Sequence, residues 1–112
     1  MIFSIITITR NNRNGLERTA NSVTRQSFQD AEWLIIDGAS TDGTQADFIK
    51  YPSARIISEP DAGIYDAMNK AMAMATGDYL IFMNAGDVFA NETVLAEVVP
   101  LTHNNPDLIY GD

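Results

Sequence analysis

Apolar and polar residues follow one another in blocks along this chain. Ile2 to Thr9 is an apolar, β-branched run and reads as a buried strand. A polar turn follows from Asn11 to Asn14. Leu16 to Gln26 then shows helical spacing, with Leu16, Ala20 and Val23 on one face. Trp33 to Ile36 predicts a second strand. Ser40-Thr41-Asp42-Gly43 predicts a turn and cap before a helix over Thr44 to Tyr51, which Pro52 ends. Arg55 to Ser58 is a weaker third strand. Ile64, Ala67, Met68, Ala71, Met72 and Ala75 recur as one buried helical stripe that Gly77 stops, and Met68, Met72 and Met74 read as core or near-core filling. Tyr79 to Met83 is a fourth strand. Asn91-Glu92 caps a helix carrying Val94, Leu95 and Val98, closed by Pro100, and Leu108 to Tyr110 is a fifth strand.

Strands separated by helices predict an α/β fold with three layers, α/β/α, around a mainly parallel sheet. The chain has 112 residues, enough for one domain burying roughly two-thirds of its unfolded surface. An apolar content of 46% excludes a disordered chain. Cysteine is absent, which removes disulfides, thiolate metal sites and cysteine nucleophiles. No run reaches the ~20 apolar residues of a membrane span. The formal charge is −8 and no basic patch is evident, so nucleic acid is not an expected partner. A phosphorylated small molecule remains compatible with that charge. It needs helix N-termini, a local Arg or Lys, or a cation to offset the repulsion.

In parallel α/β sheets, ligands sit beyond the carboxyl ends of the strands. Thr9, Asp37, Glu59 and Asp87 each lie at or just past such an end, which predicts one shared pocket. Thr9 and Arg10 end the first strand, where Thr9 reads either as a contact to a base or ribose or as a plain strand-end threonine. Asp37 before Gly38 is either an acceptor for a nucleobase N–H or ribose hydroxyl, or a turn aspartate. Asp42 is read as a cap. Glu59 and Asp61 line the pocket or shape a solvated turn with Pro60 and Gly63. Lys70 approaches a diphosphate or pairs with Asp66 four residues away. Asn84-Ala85-Gly86-Asp87 is either an acidic turn or a cation site in which Asp87 binds Mg2+ or Mn2+ and a diphosphate completes the coordination. Gly86 would let that ligand approach the backbone. No P-loop or dinucleotide fingerprint is present, and His103 is assigned no role.

Four segments carry a family resemblance: Ser4 to Asn11, Ile36 to Thr44, Ser58 to Lys70 and Gly77 to Asp87. Together they resemble the family 2 glycosyltransferases of the GT-A fold, most closely those making bacterial surface polysaccharide of the colanic-acid type. The resemblance implies a nucleoside-diphosphate-sugar donor, transfer with inversion to a glycan or lipid-linked acceptor, and Mn2+ or Mg2+ as cofactor. By it, Thr9 and Asp37 contact the nucleoside. The loop from Glu59 to Gly63 and the helix bearing Lys70 flank the nucleotide, Arg10, Asn84 and Gly86 adjoin it, and Asp87 is the metal-binding carboxylate. Asn84 and Gly86 stand where the family usually has acids. The family's catalytic aspartate belongs to a second half, so no residue here is assigned as catalytic base. The expectation is a donor-binding half of a longer enzyme, cytoplasmic or peripheral at the inner face of the membrane, prone to self-association through a face left uncovered. The alternatives are a non-catalytic nucleotide-binding module and a structural α/β module.

Overall fold

The computed structural model describes residues 2–99 and the strand at 108–110. Pro100 and His103 lie outside the described residues. Five parallel strands form one sheet in the order β3-β2-β1-β4-β5, with β1 at Phe3–Thr9, β2 at Ala31–Asp37, β3 at Ala54–Ser58, β4 at Tyr79–Phe82 and β5 at Leu108–Tyr110. Side chains on a strand point alternately to its two faces. Phe3, Ile5, Trp33, Ile35 and Ile81 therefore join one core cluster, and Ile6, Leu34, Ile36 and Phe82 join the other. Both clusters are buried, which is why these strands read as continuous apolar runs rather than as alternating ones.

Helix α1 (Arg13–Thr24) covers the first face through Leu16 and Ala20, and α3 (Val94–Val98) adds Leu95. Helix α2 (Ile64–Met74) covers the second through Ala67 and Ala71, with Met68 and Met74 packed beside them. The three layers are those expected. Alanine at 67 and 71 lets α2 lie close to the sheet, and a larger side chain at either would cost about 1–3 kcal/mol through overpacking.

Three local expectations change. Helix α1 starts at Arg13, inside the expected polar turn, because Asn12 Oδ1 accepts a hydrogen bond from the Gly15 N–H and caps the helix. Thr44–Lys50 winds as a 3-10 helix, with i→i+3 bonds from Ala46 N–H to Gly43 and from Tyr51 N–H to Phe48. Met72 and Ile64 of the expected buried stripe are exposed (46% and 48%), so the buried face of α2 is narrower and built on alanines.

At the amino end of the sheet, Glu32 is buried beneath the turn between α2 and β4. It accepts hydrogen bonds from the Ser4 hydroxyl, from the Thr76 N–H and hydroxyl, and from Arg55 Nη1 at 3.0 Å. Gly77 presses on the same place. A Cβ there would sit 2.6 Å from the Phe3 carbonyl carbon, so only glycine fits. Burial alone would raise the Glu32 carboxyl, but the bonds from Ser4, Thr76 and Arg55 outweigh it and hold the group at about 2. A depressed carboxyl stabilises the fold fully above its ordinary value near 4.5, and that contribution fades as pH falls toward 2. Replacing Glu32 by Gln is expected to lower the unfolding free energy by about 1–3 kcal/mol at pH 7. In urea titrations the gap between E32Q and the parent chain should shrink steadily below pH 4.5. A gap independent of pH would show that the ionised carboxylate is not what ties this end of the sheet together.

Candidate functional site

The chain steps outward from β1 to β2 to β3, then returns to place β4 on the other side of β1. The loops leaving β1 and β4 therefore diverge and leave a crevice at the carboxyl edge. The crevice is a cleft of ≈ 320 Å³. Thr9, Arg10 and Asn12 wall it after β1, Asn84 and Ala85 after β4, and Asp61, Gly63 and Ile64 at the entry to α2.

Thr9 is 3% exposed, and its Oγ1 is buried without a hydrogen-bond partner among the described residues. Buried hydroxyls are nearly always paired, so an unpaired one in a cleft wall marks a place for a ligand atom. Arg10 is exposed and has no ion-pair partner among the described residues. Asp61 Oδ1 accepts from the Gly63 N–H at 3.1 Å. Helix α2 begins at Gly63 without a side-chain cap, so the amino end of that helix opens onto the cleft. Thr9, Arg10, Asp61 and Asn84 are thus brought together, whereas of Thr9, Asp37, Glu59 and Asp87, expected to share one pocket, only Thr9 lines it.

Asp37, Glu59, Lys70, Gly86 and Asp87 are not in the walls of this cleft. Asp37 is fully buried. It accepts from Ser40 N–H at 3.2 Å, from the Ser40 hydroxyl, from Gln45 Nε2 at 3.3 Å and from the Ser58 hydroxyl at 2.7 Å. Three of these bonds fall on Oδ2 and one on Oδ1, and together they fasten the ends of β2 and β3. Ser40 passes the restraint on, since its hydroxyl also accepts from the Asn11 N–H at 2.8 Å. Arg13 adds a two-pronged bond to Asp47, with Nη2 2.8 Å from Oδ1, and this guanidinium holds the Asp47 carboxyl at about 2. Asp42 keeps the capping role expected of it, accepting from the Thr44 N–H and from the Arg13 N–H at 3.1 Å each. Lys70 Nζ lies 3.2 Å from Glu59, 3.6 Å from Asp66 and 3.0 Å from the Pro60 carbonyl. Lys70 and Glu59 therefore staple the entry loop to α2.

The segment Asn84–Asp87 is a β-turn whose last side chain bonds back to its first residue. Asp87 Oδ2 accepts from the Asn84 N–H at 2.9 Å, and the Asp87 N–H reaches the Asn84 carbonyl at 2.8 Å. Gly86 has φ +104°, a left-handed conformation that favours glycine. Helix α1 grips this turn in a way the sequence reading missed. Asn12 Nδ2 donates to the Ala85 carbonyl at 3.0 Å. Buried Thr19 donates to the Asp87 carbonyl at 2.7 Å and accepts from the Gly86 N–H at 2.9 Å. One and two turns further on, Ser22 accepts from Phe89 N–H, and Gln26 bonds the Asn91 carbonyl and the Leu95 N–H. The available signal was a polar stripe (Thr19, Ser22, Gln26) beside the apolar stripe of the same helix.

Among the described residues no three histidines, aspartates or glutamates cluster as a chelate. One Asp87 oxygen, Oδ1, remains without a hydrogen bond among the described residues. The donor set therefore fits a hard cation only where phosphate oxygens supply most of its shell.

Residues 4–112 match the family described as Glycosyl transferase family 2. An uncharacterized glycosyltransferase of Mycobacterium tuberculosis, Rv1514c, is 42% identical over 103 residues, covering 86% of this chain and 38% of its own length. Staphylococcus aureus TarS 1-349, crystallised in complex with UDP, superposes with a TM-score of 0.83 at 25% identity, over 92% of this chain and 32% of that one. A mannosyltransferase from Pyrobaculum calidifontis, PcManGT, in complex with GDP-Man and Mn2+, shares the fold at TM-score 0.83 and 23% identity, over 93% and 32%. The chain spans less than half the length of the curated relatives it matches. No helix among the described residues is long and apolar enough to cross a membrane. The chain belongs to glycosyltransferase family 2.

Proposed function

We propose that this chain is a single donor-binding domain, the first part of a longer enzyme. That enzyme would transfer a sugar from a nucleoside diphosphate to a glycan or lipid-linked acceptor, with inversion, at the cytoplasmic side of the membrane. The observation that carries the reading is the buried, unpartnered Thr9 hydroxyl in the cleft at the β1/β4 switch point. UDP bound to TarS, a protein of the same fold, supports it.

In this reading Thr9 hydrogen-bonds the nucleoside. Arg10 and the amino end of α2 offset the diphosphate charge. Asp87, with Asn84 beside it, would hold a Mn2+ or Mg2+ ion, which would supply positive charge against a diphosphate. Asp37, Glu59 and Lys70 act one step back, by holding the loops that shape the cleft. Asp61 lines the cleft beside the sugar-nucleotide. The base that deprotonates the acceptor is assigned to no residue of this chain.

Calorimetric titration with UDP and GDP is expected to give heat with one of them and tighter binding with Mn2+ present. Absence of heat with both would favour a purely structural α/β module. Thr9→Val separates ligand binding from packing. It should weaken the nucleotide by about fivefold or more, yet leave the melting temperature of the ligand-free chain equal or higher, because an unpaired buried hydroxyl is removed. Loss of both binding and stability would point to a structural threonine. Asp87→Asn keeps the acceptor for the Asn84 N–H and should abolish the Mn2+ dependence, with nucleotide binding in EDTA unchanged. An unaltered response to Mn2+ would remove Asp87 from the cation site.

A further inference from the structure

The chain has seven lysines and arginines against fifteen acids. Arg13, Lys50, Arg55 and Lys70 each pair with a carboxylate. Among the described residues, Arg10, Arg18 and Arg25 do not. Arg10 lies in the donor cleft. Arg18 and Arg25 both line a second cavity, of ≈ 350 Å³, between α1 and the segment 88–92. In so acidic a chain, every cation left without a carboxylate faces a cavity.

Arg18 on α1 and Arg25, the residue that ends this helix, are seven residues apart and lie along one side of it. Between them lie the exposed Asn21 amide and Ser22. Ser22 Oγ accepts from the Phe89 N–H at 2.7 Å, which leaves its own hydroxyl proton free to donate. The opposite wall carries Val88, 44% exposed, and Phe89. Glu92 is the one acid in the lining. The cavity thus offers two guanidinium forks and neutral donors along one side and an apolar surface on the other.

Gly86 separates this cavity from the donor cleft. A Cβ on Gly86 would stand 3.8 Å from Arg18 Nη2 and 3.7 Å from Asn12 Nδ2, and Asn12 lines the donor cleft. The second cavity therefore opens on the far side of the turn that bears Asp87.

We propose that this cavity binds a phosphate ester carrying an apolar substituent, through Arg18 and Arg25. Guanidinium forks match phosphate oxygens in pairs, and Val88 and Phe89 give the substituent a surface. A lipid-linked diphosphate has this chemistry, so the cavity names the acceptor class. That last step rests on the donor-site reading, whereas the binding itself is tested without it.

The test is a titration of the 15N-labelled chain with farnesyl diphosphate, inorganic pyrophosphate and UDP, followed by amide and arginine Nε–H resonances. Farnesyl diphosphate is expected to shift Arg18, Asn21, Ser22, Arg25 and Val88, to do so equally with UDP present, and to bind more tightly than pyrophosphate. The double variant Arg18→Gln, Arg25→Gln changes two exposed side chains. It should weaken farnesyl diphosphate about tenfold or more and leave UDP affinity within about twofold. Shifts confined to the neighbourhood of Thr9 and Asn84 and competed by UDP would overturn the proposal, as would unchanged affinity in the double variant. Failure of the donor reading would appear separately, as no response to UDP while the farnesyl diphosphate signal persists.

Discussion

The parallel pairing of β1 with β2 on one side and β4 on the other is the constraint from which the rest follows. Register fixes Thr9 opposite Asp37, and Asp37 opposite Ser58, in one row at the carboxyl edge. It also brings the Ala85 N–H onto the Ile8 carbonyl, three residues past the end of β4. Because β1 is buried on both faces, a slip by one residue would move Phe3 and Ile5 to the wrong core and lift Thr9 out of its place. The cleft is therefore a product of strand order, and the side chains that decorate it are placed by the same hydrogen bonds that hold the sheet.

Helix α1 serves two neighbours. Leu16 and Ala20 pack on the sheet, while Thr19, Ser22 and Gln26 hold the segment from Gly86 to Leu95 by hydrogen bonds. Hydrogen bonds suit that second task because the segment has few apolar anchors before Phe89 and presents unpaired backbone groups. The loops after β1 and β2 are tied to each other in a similar way, by Asn11 with Ser40 and by Arg13 with Asp47. Charge and hydroxyl groups at this edge are thus spent chiefly on rigidity. What is left over there, the Thr9 hydroxyl and Arg10, stands out for that reason.

Much of the fold was legible because the strands are β-branched runs buried on both sides and the helices between them are short and clearly punctuated. The 3-10 turn at Thr44–Lys50 was not, since seven residues carry too little periodicity to separate two tight helices. In the site, Thr9, Arg10, Asp61 and Asn84 could be read from their positions at strand ends and at the entry to α2. The occupation of Asp37 could not, because its partners Ser40, Gln45 and Ser58 come from a loop, a 3-10 turn and another strand. For Lys70 the sequence left two readings, a diphosphate contact and a pair with Asp66, and the pair is present at 3.6 Å. The stronger pull of Glu59 depended on how the loop at Pro60 folds back, which spacing does not encode.

The lone hydroxyl of Thr9 has a consequence for the life of the protein. A buried hydroxyl with no protein partner among the described residues is a weak point of the fold, worth about 1–3 kcal/mol to a group that pairs with it. A ligand that fills the cleft adds RT ln(1 + [L]/Kd) in favour of the folded form. In the proposed reading, nucleotide paired with this oxygen would therefore slow proteolysis of the folded chain.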